Sequence, residues 1–134
     1  DTFVFTDKSY IPTGEIKNVQ DTPYDFRVSQ EINKSVEQLS APGYNECYVL
    51  NKDEGSEDAI LFDPVSHRKV TVNTTSPGIL FYSGDYLNGE FQRCQGVCLE
   101  TQFSPDAPNR PEFPSTLLLP DQEFLHQTTF KFSW

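Results

Sequence analysis

Apolar residues along this chain recur mostly at every second position. That is the period of a strand whose two faces meet different surroundings. Six short runs carry the signal, at 47–50, 59–62, 70–73, 79–83, 97–102 and 124–132. Near the end, Phe130, Phe132 and Trp134 alternate with Thr129, Lys131 and Ser133, which predicts a half-buried strand with an aromatic inner face. Helical spacing occurs once, within 30–39, where Ile32, Val36 and Leu39 fall on one face. Pro42 and Gly43 end that helix soon afterwards. Polar turns at 51–56 and 63–68, and the bend Ser76-Pro77-Gly78, separate the apolar runs and predict an antiparallel meander. Prolines 105, 108, 111, 114 and 120 exclude ladder bonding over 104–120. That segment reads as a long surface loop, of a length often tied to function. No repeat, low-complexity tract or linker divides the chain, so 1–134 reads as one domain or part of one.

Composition narrows the classes of function. Twenty acidic against ten basic residues leave a net charge of −10. Phosphates and anionic lipid surfaces would be repelled, so neither nucleic acid nor a membrane surface is an expected partner. The hydrophobic share is a modest 36%, but 11 Phe and 6 Tyr argue for a packed core. No apolar run is long enough for a spanning helix, and the first residues do not form a signal peptide. Methionine is absent, so an upstream part, processed or lost, is expected. Cys47, Cys94 and Cys98 are too few for a disulfide framework. Reduced thiols in a cytoplasmic protein are the expectation, with a short Cys94–Cys98 bridge as the alternative. Asn33-Lys34-Ser35 and Asn73-Thr74-Thr75 would accept glycans if the chain were secreted, and secretion stays open.

Candidate chemistry is sparse. Asp53, Glu54, Glu57 and Asp58 cluster at a turn and lack the alternating oxygen pattern of a calcium loop, so they read as a solvated tip. Cys94 and Cys98 lack further ligands at zinc spacing, and no metal site is expected. His67 lies in a turn beside Arg68, and His126 falls on the solvent side of the last strand or near its start. Glu100 differs, because it lies inside a strand-like run with Cys98 and Gln102 on its face. Two readings stand: a solvent-facing strand carboxylate, or a partly desolvated general base with a raised pKa.

Pro12-Thr13-Gly14-Glu15 and Thr22-Pro23-Tyr24-Asp25-Phe26-Arg27 are followed by Gly43-Tyr44-Asn45-Glu46 and Pro77-Gly78-Ile79-Leu80-Phe81-Tyr82-Ser83-Gly84. Then come Leu99-Glu100-Thr101-Gln102, Pro105-Asp106-Ala107-Pro108-Asn109 and Phe113-Pro114-Ser115. In this order the blocks resemble the C-terminal part of the aldose 1-epimerase (galactose mutarotase) family. The resemblance implies an all-β fold, a large antiparallel β-sandwich of which 1–134 is the C-terminal part. It implies interconversion of the α and β anomers of a free aldose, of galactose or glucose type, with no cofactor or metal. In that chemistry a Glu takes the proton of the anomeric hydroxyl while a His protonates the ring oxygen. The ring then opens, rotates and recloses.

Glu100 aligns with the family's base, and the resemblance favours its functional reading. Asn45 stands where the family places a sugar-binding Asp, and Leu80 where some members place a sugar-contacting Gln. Asn keeps hydrogen bonds but loses the charge, and Leu removes the polar contact. The family's acid His lies upstream of the aligned region, so a companion N-terminal segment of the same protein is an expected partner. Two alternatives follow from these departures. One is a catalytically decayed, non-enzymatic sugar-binding or structural relative; the other is a free-standing binding module.

Overall fold

The run Thr2–Thr6 is built of β-branched and aromatic residues, the types that suit a pleated, half-buried surface. In the computed structural model, which describes residues 1–52 and 55–134, it forms strand β1, with Phe3 and Val4 buried on opposite faces. The other strands are β2 (Pro12–Asn18), β3 (Asn45–Val49), β4 (Ala59–Phe62), β5 (Lys69–Thr74), β6 (Gly78–Tyr82), β7 (Cys98–Gln102) and β8 (Thr128–Ser133). A short helix α1 (Ile32–Val36) and a 3₁₀ turn (Ala107–Asn109) complete the elements. Five strands pair in the order β2-β1-β3-β6-β7 and three in the order β4-β5-β8. Every pairing is antiparallel, as the period-two pattern predicts.

The large sheet buries aromatic rings on one face. Tyr44 is fully buried, with its ring stacked on Phe81 at 5.1 Å and edge-on to Phe26 at 5.2 Å and Tyr24 at 5.7 Å. Its hydroxyl donates to Pro23 O at 2.5 Å, which satisfies the polar atom of this buried side chain. Phe3 stacks on Tyr24 at 4.5 Å and extends the group across β1. The motif residues Tyr24 and Phe26 lie in irregular chain and are held there by these rings.

Several expectations change. The strands at 2–6 and 12–18 were not predicted, although β1 carries a legible β-branched and aromatic run. The turn at 51–56 does not join a hairpin: β3 pairs with β1 and β6, while β4 pairs with β5 in the other sheet. The simple meander therefore fails between β3 and β6. The helix is one short turn-and-a-half rather than the whole of 30–39. The last strand begins at Thr128, and Phe130, Phe132 and Trp134 are exposed rather than half-buried. Alternation assigns a side chain to a face, and the coverage of that face depends on what lies against it.

Within the acidic cluster, Asp53 and Glu54 lie outside the described residues. Glu57 is exposed as expected. Asp58 is structural instead: its carboxylate accepts the Thr74 N–H at 2.7 Å and pairs with Lys52 at 3.0 Å. His126 approaches Ser76 and Thr128, each at 3.1 Å, in a hydroxyl network that reaches Thr101 and Thr74. It is exposed, just before β8, and serves to join the two sheets.

One glycine is required by geometry. Gly84 has φ +73°, and a Cβ there would lie 2.4 Å from the Gly96 carbonyl oxygen. Both the left-handed backbone and the backbone neighbour oppose a side chain. Gly84→Ala is expected to destabilise the protein by roughly 1–3 kcal/mol, read as a lowered Tm with unchanged strand signal. An unchanged Tm would mean that the turn rearranges freely.

Candidate functional site

The register across the large sheet lines up one row of side chains. Ile16 pairs with Val4, Val4 with Cys47, Cys47 with Leu80 and Leu80 with Glu100. Burial falls off along the row: Val4 and Cys47 are buried, Leu80 is half-buried and Glu100 is exposed. The next row on the same face joins Asn45, Tyr82 and Cys98. The structure thus brings Asn45, Leu80 and Glu100 onto a single face. Leu80 is the direct cross-strand neighbour of the carboxylate, and Asn45 is two strands away, about 10 Å across the sheet.

The proline-rich segment covers the inner part of that face. Ala107 and Phe113 are buried against Val4 and Cys47, with Leu80 and Val49 packed beside them. Asp106 holds the segment's turn in a left-handed conformation (φ 65°). Its carboxylate accepts from Asn109 Nδ2 at 2.6 Å and Arg110 Nε at 3.0 Å, and those two bonds keep it below the usual carboxylate range. Arg110 donates onward to Pro12 O at 3.3 Å and lies over Gly14, where a Cβ would sit 2.5 Å from its guanidinium. Two separate motif blocks, 12–15 and 105–109, therefore meet through one arginine. The result is an apolar floor that ends at a carboxylate.

Cys98, Glu100 and Gln102 share a face, as alternation predicts. The desolvation expected of Glu100 is absent: it is exposed, and no side-chain hydrogen bond or ion pair holds it among the described residues. Its strand β7 is the edge of the sheet, with nothing paired on its outer side among the described residues. His67 lies in the turn between β4 and β5, and His126 contacts Thr101, whose side chain is on the face opposite Glu100. Neither can act with Glu100 across one substrate. A surface depression on β5 and β8 is lined by Lys69, Thr71, Asn73 and Lys131, away from this row.

Sequence reasoning passed over a second acidic pair. Glu46 and Asp85 are both buried, Glu46 on the side of the sheet opposite Glu100. Burial pushes the Glu46 carboxyl up to about 7; the Asn45 N–H donating at 2.8 Å works against this, and the charge of Asp85 adds to it. Both Asp85 carboxylate oxygens are buried with no hydrogen-bond partner among the described residues. The available signal was the phase of β3, which puts Glu46 on the face of Tyr48, opposite that of Cys47. The three cysteines are free thiols, and burial raises Cys47 to about 12. Among the described residues no group of His, Cys, Asp and Glu is arranged to hold a metal ion. Among them, too, no helix is long and apolar enough to cross a membrane.

Comparison with known proteins gives consistent results. The family model described as aldose 1-epimerase matches residues 1–131. Galactose mutarotase from Bos taurus is 39% identical and that from Homo sapiens 38%, each over 99% of this chain. Aldose 1-epimerase from Escherichia coli strain K12 is 31% identical over 98% of it. The chain spans 42% of the length of each of these relatives. A solved aldose epimerase homologue from C. elegans superposes with a TM-score of 0.91 at 26% identity, over 99% of this chain and 43% of that one. Galactose 1-epimerase from Lactobacillus acidophilus NCFM shares the fold, with a TM-score of 0.83 at 22% identity, covering 99% and 41%.

Proposed function

The chain belongs to the aldose 1-epimerase family, and from that premise we propose that its protein interconverts the α and β anomers of a free aldose, with Glu100 as the base. Glu100 removes the proton of the anomeric hydroxyl, the ring opens to the aldehyde, and reclosure on either face returns the proton. The observation that carries this reading is the row Val4–Cys47–Leu80–Glu100, which sets an unengaged carboxylate at the end of an apolar floor. The exposed side of that carboxylate leaves room for a sugar. Asn45, on the same face, is assigned to the sugar hydroxyls, and Leu80 to van der Waals contact with the ring beside the base.

The acid that protonates the ring oxygen is assigned to a His of a companion N-terminal segment of the same protein. Two features support this. His67 and His126 are both away from the Glu100 face, and the outer edge of β7 is open for a further strand beside the base. A galactose- or glucose-type monosaccharide is the substrate class. No cofactor enters this reaction, since proton transfer alone opens and closes the ring. The free thiols favour a reducing, cytoplasmic setting.

Polarimetry on the intact protein with freshly dissolved α-galactose tests the activity. Acceleration over the spontaneous rate is expected, and Asn45→Ala is expected to raise KM roughly 5–10-fold through loss of about 1 kcal/mol of hydrogen bonding. An unchanged KM would remove Asn45 from the sugar site.

A second reading rests on Asn45 and Leu80, where charge and polarity are reduced relative to the family pattern. It is a sugar-binding protein without turnover. Saturable aldose binding by calorimetry with no faster mutarotation would favour it. Restored turnover in Asn45→Asp/Leu80→Gln would then mark loss from an active ancestor.

A further inference from the structure

The entry into β3 is held from behind by polar groups. Tyr44 N–H donates to Ser83 Oγ at 2.9 Å, and Asn45 N–H donates to the Glu46 carboxylate at 2.8 Å. Asp85 lies against the same stretch: a Cβ at Gly43 would sit 2.8 Å from its Oδ1 and 2.4 Å from Ser83 Oγ. Glu46 is 4% exposed and Asp85 7%, and neither Asp85 oxygen has a hydrogen-bond partner among the described residues. Two charged carboxylates in such a place would each carry a large desolvation cost and repel one another. Groups that share this electrostatic environment are the phenols of Tyr10, Tyr24, Tyr44 and Tyr48, each of which feels Glu46, with Asp85 acting on both Glu46 and Tyr10. No lysine or arginine among the described residues shifts Glu46.

We infer that Glu46, buried near the buried Asp85, retains its proton, and that this carboxyl pair is a positioning device that fixes residues 43–45 and so presents Asn45 to the sugar. The inference rests on the proposed role of Asn45 and adds a control on it from the opposite face of the sheet. With one proton present, the pair carries a single charge and Glu46 still accepts the Asn45 N–H. When the proton leaves to solvent, Glu46 carries a buried charge that the charge of Asp85 opposes, and the start of β3 loosens. The direction of the pH dependence follows. Burial raises the Glu46 carboxyl in the folded state to about 7, so the folded protein binds more protons than the unfolded chain between about 4.5 and 7. Stability is therefore highest below that window and falls as pH rises through it. Sugar affinity falls with it.

The test measures Tm and the calorimetric dissociation constant for galactose from pH 5 to 9, on the intact protein and on Glu46→Gln, Asp85→Asn and Asn45→Ala. A Gln amide can accept from Asn45 N–H and carries no charge, so it copies the protonated Glu. For the wild type, Tm is expected to fall, and the dissociation constant to rise at least threefold, between pH 6 and 8.5. Glu46→Gln is expected to flatten both profiles and to bind at pH 8.5 as the wild type does at pH 6. Asp85→Asn removes the smaller contribution, so it is expected to move both profiles to lower pH without flattening them. Asn45→Ala is expected to keep the Tm profile and lose the affinity profile, which separates positioning from stability alone. Flat wild-type profiles overturn the inference, as does a pH-dependent affinity that survives in Glu46→Gln. Sodium or calcium chloride that removes the wild-type pH dependence would also overturn it, because a cation and not a proton would then balance the pair. Mutarotation by polarimetry is followed in parallel: binding with the expected profile but no turnover would sink the epimerase reading and leave the pair standing.

Discussion

Glu100→Gln is expected to lower the rate of enzyme-catalysed mutarotation by roughly 10²- to 10⁴-fold, the usual contribution of a positioned general base. The amide has the shape of the carboxylate but cannot take a proton, so KM should change by no more than a few fold while kcat falls. The placement of the residue explains why the loss should be large. Glu100 is the outermost member of a row whose inner members are apolar, and its cross-strand neighbour Leu80 offers no substitute base. Cys98 and Gln102 share its face, yet neither lies opposite Leu80. Their partners are Tyr82 and Gly78, one step along the strand in either direction. Polarimetry with fresh α-galactose decides the matter, and equal rates in the two proteins would remove Glu100 from the mechanism. Glu100→Asp is a useful companion, because it keeps the charge and withdraws it by one methylene. An intermediate rate would tie the effect to position as well as chemistry.

Tyr44→Ala is expected to cost about 4 kcal/mol, enough to unfold a marginal domain at ordinary temperature. Tyr44 is fully buried, and three rings pack against it: Phe81 stacks on it, while Phe26 and Tyr24 meet it edge-on. Truncation leaves a cavity lined by aromatic side chains from two separate parts of the chain, 24–26 and β6, so the walls cannot collapse together. The hydroxyl contributes less. Tyr44→Phe keeps the ring, removes the bond to Pro23 O and should cost about 1 kcal/mol. Denaturant unfolding followed by near-ultraviolet circular dichroism separates the two variants. A Tyr44→Ala protein as stable as Tyr44→Phe would show that the ring cluster is not the core of the large sheet. Loss of Tyr44 would also displace Asn45, its chain neighbour, so folding must be verified before any sugar affinity is interpreted.

How far the sequence is legible depends on the range of the interaction in question. The phase of β7 placed Cys98, Glu100 and Gln102 on one face because each residue's face depends only on its immediate neighbours. The order of the motif blocks placed Asn45, Leu80 and Glu100 in one family pattern, and the register then put them on one face. Pairing was less legible. Residues 51–56 look like a hairpin turn, yet β3 closes with β6, and the β4–β5 hairpin intervening in sequence belongs to the other sheet. A hairpin between neighbouring runs and an excursion into a second sheet produce the same local pattern of turn and strand, so only competition among non-local partners separates them. Strand β2 was illegible for a related reason. It is an edge strand rich in polar residues and Gly14, and it is held by its partner β1 more than by its own pattern.

The site divides in the same way. By itself the sequence determined that this is an all-β chain of the aldose 1-epimerase pattern, and it singled out the carboxylate proposed here as the base. Those conclusions need only local periodicity and the order of short motifs. Tertiary structure alone decided that Glu100 is exposed at a sheet edge, that Arg110 ties the proline-rich segment to Gly14, and that Phe132 and Trp134 face outward. It also decided that Glu46 and Asp85 are buried together behind Asn45. Glu46 and Asp85 are 39 residues apart, and their desolvation comes from strands and rings folded around them. A carboxylate's burial, and hence its affinity for a proton, belongs to the surroundings that the whole fold assembles and not to the residue's place in the chain.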